Sequence, residues 1–163
     1  MLMKKLMALL LSLVTVLSMT WVAFAGEMPV PSNTYPAEYE YFDDGSYIVT
    51  TITEEPAVSF ARATSTKTAS KTATYKSSSG ASLWSVTVTG TFSYNGSSAK
   101  CTAVTGRASS NSSYWKVSSP SCSKLNTLAS ATATSKQYDT SWAITRSVSR
   151  TVTLSCSASG KLS

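Results

Sequence analysis

Few residues in this chain can do covalent chemistry. From Phe60 to the C-terminus there are twelve bases, one acid (Asp139) and no histidine. Paired carboxylates, a Ser–His–Asp arrangement and a metal centre all need side chains that this stretch lacks. Acids are paired only nearer the N-terminus, as Asp43-Asp44 and Glu54-Glu55, where adjacency suits a turn and a strand end better than catalysis. Serine and lysine abound, yet no S-x-x-K with supporting motifs rises above what such a composition gives by chance. The reading is therefore a non-enzymatic protein with no cofactor and no metal site.

What remains is chemistry of binding and cross-linking. Cys101, Cys122 and Cys156 allow three single pairings, each leaving one thiol over. Cys101 and Cys156 fall on apolar faces of well-marked strands, whereas Cys122 sits in a Ser/Pro stretch, so a Cys101–Cys156 disulfide is expected. Cys101–Cys122, or no bond, stays open. Closing a loop of ~55 residues would contribute about 4 kcal/mol, a large share of a net stability of ~5–15 kcal/mol. Tyr114-Trp115 offers aromatic faces that suit sugar rings, set against the alternative of core packing. Arg146 and Arg150 lie on the apolar face of the last strand, about 13 Å apart at ~3.3 Å per residue. Either a bulge turns them outward or they form a cationic pair that binds a polyanion, which Lys67, Lys71 and Lys76 could extend. Tyr114, Trp115, Arg146 and Arg150 are the candidate ligand-binding residues.

These residues must be positioned by strands. From Trp84 to Tyr94 the even positions are apolar, aromatic or glycine and the odd ones are all hydroxylated, the period of two that marks a strand with one face buried. Asn95-Gly96 follows as a two-residue turn of type I′. That turn pairs Tyr94 with Ser97, Phe92 with Ala99, Gly90 with Cys101 and Val88 with Ala103, and so turns Cys101 inward. Further strands are expected over 46–53, 66–76, around 114–117, through Leu125, Thr127, Ala129, Ala131 and Ala133, and from Trp142 to Ser157. Residues 105–113 and 118–123 read as loops. The small side chains at 129, 131 and 133 would let an opposing layer approach closely. No amphipathic helical run follows the N-terminus. The expectation is an all-β antiparallel sandwich of about six to eight strands, after an N-terminal signal helix.

Charge divides the chain. Residues 1–25 have Lys4 and Lys5, an apolar run and an Ala-Phe-Ala ending, the parts of a cleavable signal peptide. Residues 26–58 hold seven acids and no base, with Pro29, Pro31 and Pro36. This segment reads as an integral first strand (46–53), an acidic pro-segment or a tyrosine-rich tail. Residues 59–163 form the basic, Ser/Thr-rich domain, and the net charge of +6 conceals the contrast.

Two resemblances accompany these residues. The spacing Cys101…Trp115…Cys156 resembles the framework of immunoglobulin domains, which implies a tryptophan packed on an inter-sheet disulfide. Leu154, two before the last cysteine, departs from the tyrosine found there in that family. MLMKKLMALLLS, YFDDGSYIVTTI and the C-terminal CSASGKLS give the chain the look of small secreted proteins of Gram-positive, clostridia-like bacteria, a likeness that implies no activity. The functional expectation is a secreted, extracellular binding module for an anionic cell-wall polymer or glycan. It has no specific nucleic-acid partner and no stable membrane insertion after signal cleavage. The alternative is a cationic toxin or antimicrobial kept inert by its acidic segment.

Overall fold

A computed structural model describes residues 35–56 and 64–163. The expected signal segment and the first part of the acidic segment lie outside these residues. Among the described residues there is no helix, and nine antiparallel strands form two sheets. The first sheet is a meander of β1 (Glu38–Tyr41), β2 (Tyr47–Glu54), β3 (Ser65–Lys76), β4 (Ser82–Tyr94) and β5 (Ala99–Ser110). The second contains β6 (Trp115–Val117), β7 (Ser121–Leu125), β8 (Leu128–Tyr138) and β9 (Ile144–Ser155). β9 runs along the whole of β8. β6 and β7 pair with opposite ends of β8 and therefore lie end to end along its other side. The break between them is Ser118–Pro120, where proline cannot donate to a ladder.

The sheets pack face to face, and the alternation along each strand fills the space between them. At one end Tyr75, Trp84 and Trp115 form an aromatic cluster, with ring centroids 5.6 Å apart for Tyr75–Trp84, 5.3 Å for Tyr75–Trp115 and 6.3 Å for Trp84–Trp115. At the other end Phe92, Leu154, Cys101, Cys156 and Leu162 are buried. The waist between them is made of small residues. A Cβ on Gly90 would lie 2.9 Å from that of Ala129, and one on Gly106 would lie 2.5 Å from the Cys122 sulfur and 3.2 Å from the Ala131 Cβ. The alanines of β8 thus set the closeness of the two layers, as their pattern in the sequence suggested.

The outer faces explain the hydroxyl-rich composition. Across β3 and β4, Thr68 pairs with Thr91, Ser70 with Thr89 and Thr72 with Thr87 at 3.1, 2.7 and 2.9 Å. Across β8 and β9, Ser130 pairs with Thr153 and Thr132 with Thr151 at 3.0 and 2.8 Å. Such cross-strand pairs contribute roughly 0.2–1 kcal/mol each, so most of these hydroxyls hold strands in register.

Several expectations are corrected. The β4–β5 loop has four residues, not two: Tyr94 pairs with Ala99, and Phe92 with Cys101. The Asn95 side-chain oxygen accepts from the amides of Ser97 and Ser98 at 3.0 and 2.8 Å, and of the two central residues only Gly96 has positive φ, which a type I′ turn requires at both. Thr102 is then bulged, so Ala103 turns outward beside Thr91 while Val104, Gly106 and Ala108 come inward. β5 continues to Ser110 through residues expected to be a loop, and β7 (Ser121–Leu125) begins within the expected loop 118–123. Leu125 and Thr127 do not belong to the strand of the alanines, because a tight turn at Asn126-Thr127, with Asn126 at positive φ, pairs Leu125 with Leu128 and parts β7 from β8. Trp142 and Ile144 precede the regular part of the last strand and are 62% and 54% exposed.

The expected disulfide is not formed. All three cysteines are free thiols, Cys101 and Cys156 buried and Cys122 exposed. The Cys101 and Cys156 amides donate to the consecutive carbonyls of Asn126 and Thr127, docking both against the β7–β8 turn. Each sulfur turns to a carbonyl near it in sequence, Ala103 at 3.3 Å and Ser157 at 3.5 Å. Burial raises both thiols above the ordinary range and keeps them protonated. Trp115 accordingly packs on Tyr75 and Trp84, with no disulfide beneath it.

Candidate binding site

The four candidate residues separate in the fold. Trp115 is 3% exposed and belongs to the core, so its face is unavailable to a sugar. Arg146 and Arg150 remain on the inner face of β9, because the bulge lies at Thr145, before both of them. They sit where β9 meets the acidic segment. Arg146 Nη1 donates to Asp44 Oδ2 and to the Tyr75 hydroxyl, both at 2.7 Å, and its guanidinium lies over the Phe42 and Tyr75 rings at 5.8 and 5.5 Å. Arg150 Nη1 donates to Glu40 Oε2 at 2.7 Å. A third pair, Lys67 with Glu54 at 3.1 Å, joins β3 to β2. The charge split in the sequence is thus a seam in the structure, in which acids of residues 35–56 neutralise bases of the domain. The Asp44 carboxyl is held below the usual range by hydrogen bonds from Ser46, with Arg146 adding to the effect.

A shallow cleft of about 240 Å³ beside this seam is lined by Glu38, Thr50, Lys71, Arg150, Thr151, Val152 and Thr153. It mixes both signs of charge, and no nucleophile is paired with a base there. Among the described residues no group of three metal-ligating side chains comes together.

Tyr114 leads elsewhere. It is 47% exposed and lies next to β8, whose Tyr138 amide donates to its carbonyl at 2.8 Å. Alternation on β6 sends Trp115 and Val117 inward and Lys116 outward, directly opposite Lys136 of β8. Two exposed like charges facing each other across a ladder are destabilising, and among the described residues neither has a carboxylate partner. Trp142 completes the group. Its ring centroid is 6.0 Å from that of Tyr138, and the Lys116 ammonium is 5.9 Å from it.

The backbone holds Trp142 in an unusual way. Its φ is +62°, a left-handed conformation that costs a bulky residue about 1–2 kcal/mol. Asp139 enforces it: Oδ1 accepts from Ser141 N at 2.8 Å, Ser141 Oγ at 2.7 Å and Ala143 N at 2.9 Å. The Trp142 amide donates to the Asp139 carbonyl at 3.1 Å. These bonds hold the Asp139 carboxyl below its ordinary range, the Ser141 hydroxyl contributing most. It is therefore ionised and occupied by its own turn. The result is an exposed indole, two tyrosines and two uncompensated lysines on the outer side of the second sheet. Reading the sequence as a strand running from Trp142 missed this. The available signal was Asp139-Thr140-Ser141, whose short polar side chains bond to their own backbone in turns.

No protein-family model, no curated protein and no solved structure matches the chain.

Proposed function

We propose that the chain is exported, trimmed after Ala25, and acts outside the cell as a non-enzymatic module that binds an anionic polysaccharide. The observation that carries this reading is the patch of Trp142, Tyr138 and Tyr114 beside Lys116 and Lys136. An indole face supplies flat apolar area for a sugar ring, and two ammonium groups supply the attraction for a carboxylate or phosphate on the same chain. An immunoglobulin-like architecture draws on two antiparallel sheets with Trp115 buried between them, and against it stand the free Cys101 and Cys156 and a first sheet whose strands follow one another in order instead of by Greek-key connections.

The experiment is binding of the mature protein to polygalacturonate and to neutral dextran. The expected outcome is that polygalacturonate binds and dextran does not. Raising salt from about 0.05 to 0.5 M weakens binding several-fold, because exposed charges are screened over a shorter length. Failure to bind polygalacturonate or anionic cell-wall preparations, or binding indifferent to salt, contradicts the reading.

A second reading, a cationic toxin silenced by an acidic pro-segment, draws on the three ion pairs of the seam. Against it, β2 pairs with β3 over eight residues and its Ile48 is 2% exposed in the core. Removing that segment would strip a strand from the sheet. A secreted form whose N-terminus lies beyond residue 58 would favour the toxin.

A further inference from the structure

The other outer face carries a second aromatic group. β1 alternates acids with tyrosines. Glu38 and Glu40 pair in register with Thr50 and Ile48, the inward positions of β2, and Glu40 is spent on Arg150. Tyr39 and Tyr41 pair with Val49 and Tyr47, the outward positions. Alternation therefore keeps the acids of β1 off the face that carries the rings. Tyr39 and Tyr41 are 58% and 71% exposed. With Tyr47 they form a continuous surface, with centroid separations of 6.3 Å (Tyr39–Tyr41), 6.4 Å (Tyr39–Tyr47) and 5.4 Å (Tyr41–Tyr47).

A cross-strand Tyr41–Tyr47 pair alone would serve to stabilise the hairpin. It does not account for Tyr39, nor for an edge strand showing two bare aromatic rings to water, a feature that natural sheets suppress unless something covers it. The row continues inward across the sheet into hydroxyls, from Val49 to Thr74 and from Thr51 to Thr72, with Lys76 beside Tyr47 as the nearby charge. Three clustered rings backed by hydroxyls, with the carboxylates of β1 turned away, offer apolar contact to sugar rings and hydrogen bonds to their hydroxyls, the two contacts an uncharged polysaccharide chain can make.

We propose that Tyr39, Tyr41 and Tyr47 form a second carbohydrate surface, for a neutral polymer, and that one molecule bridges a neutral and an anionic chain. The bridging half of this proposal rests on the reading of the Trp142 patch given above. The two surfaces lie on the outer faces of opposed sheets, whose backbones are ~10 Å apart before side chains are counted. A single polysaccharide segment does not lie flat on both.

The test uses the mature protein, insoluble neutral polymers (cellulose, chitin and β-1,3-glucan powders) and soluble labelled polygalacturonate. Wild type is expected to pellet with at least one powder and to carry the labelled polygalacturonate down with it. The Tyr39→Ala/Tyr41→Ala double variant should lose at least fivefold in powder affinity and keep its affinity for polygalacturonate. Tyr39→Phe/Tyr41→Phe, which retains the rings, should keep powder binding within about twofold. Failure to bind all three powders, or powder binding unaffected by the alanine pair, overturns the second surface. If powder binding depends on the tyrosines but polygalacturonate is not bound at all, the Trp142 reading fails, the second surface stands and bridging is lost.

Discussion

Trp142→Gly is expected to leave stability within about 1 kcal/mol of wild type and to lower affinity for polygalacturonate at least tenfold. Two opposing terms set the first figure. Glycine adopts positive φ freely, which relieves roughly 1–2 kcal/mol of left-handed strain. Against that stands the loss of the Tyr138 contact and the Lys116 cation–π contact, roughly 0.5–1.5 and 0.5–1 kcal/mol at an exposed site. With the indole 62% exposed, little buried area is lost. The second figure follows from the role of aromatic anchors, whose truncation commonly costs ~2 kcal/mol or more of binding, and 1.4 kcal/mol is already tenfold. Thermal unfolding and a binding isotherm on the same sample check both. A stable variant that binds within threefold of wild type would remove Trp142 from the site.

Trp115→Ala acts on the other link of the chain of causes. The residue is 3% exposed and touches Tyr75 and Trp84 at the end of the core. Truncating a buried tryptophan costs about 3–5 kcal/mol, since Tyr75 and Trp84, both fixed on the first sheet, cannot move across to refill the cavity left on the second. Set against a total of ~5–15 kcal/mol, that lowers the melting temperature by roughly 10–25 °C. Because Trp115 directs Lys116 outward, binding should fall in the folded fraction as well. Tyr114→Ala, at a half-exposed neighbour, is the control and should cost about 1 kcal/mol or less. A melting temperature for the Trp115 variant within a few degrees of wild type would place the tryptophan outside the load of the core.

Where a strand has one buried and one wet face, its residues announce it. β3, β4 and the alanines of β8 were legible for that reason, and with them the all-β class and the closeness of the layers. β5 ran on unseen because its inward residues, Gly106 and Ala108, are small where the opposing Cys122 and Ala131 approach. β7 left no apolar signature because all five of its residues are exposed. The expectation of a disulfide rests on which faces the cysteines occupy, and face alone does not fix where a thiol points. The same limit applied to the site. Nothing in the order of residues places Lys116 opposite Lys136, or Arg146 against Asp44, until the strands are in register. Tyr114 is picked out by its type and lies exposed in the fold, whereas the period of two points Trp142 inward and the Asp139 turn interrupts that period.

Contact between the Trp142 indole and the ligand can be read directly by fluorescence. Trp84 and Trp115 are 1% and 3% exposed and Trp142 is 62% exposed, so in the form trimmed after Ala25, which lacks Trp21, quenching by acrylamide reports almost entirely on Trp142. Saturating polygalacturonate is predicted to cut the accessible quenching by at least half, while dextran at equal mass leaves it unchanged. Quenching unaltered under conditions where polygalacturonate is demonstrably bound would put the ligand elsewhere and contradict the account.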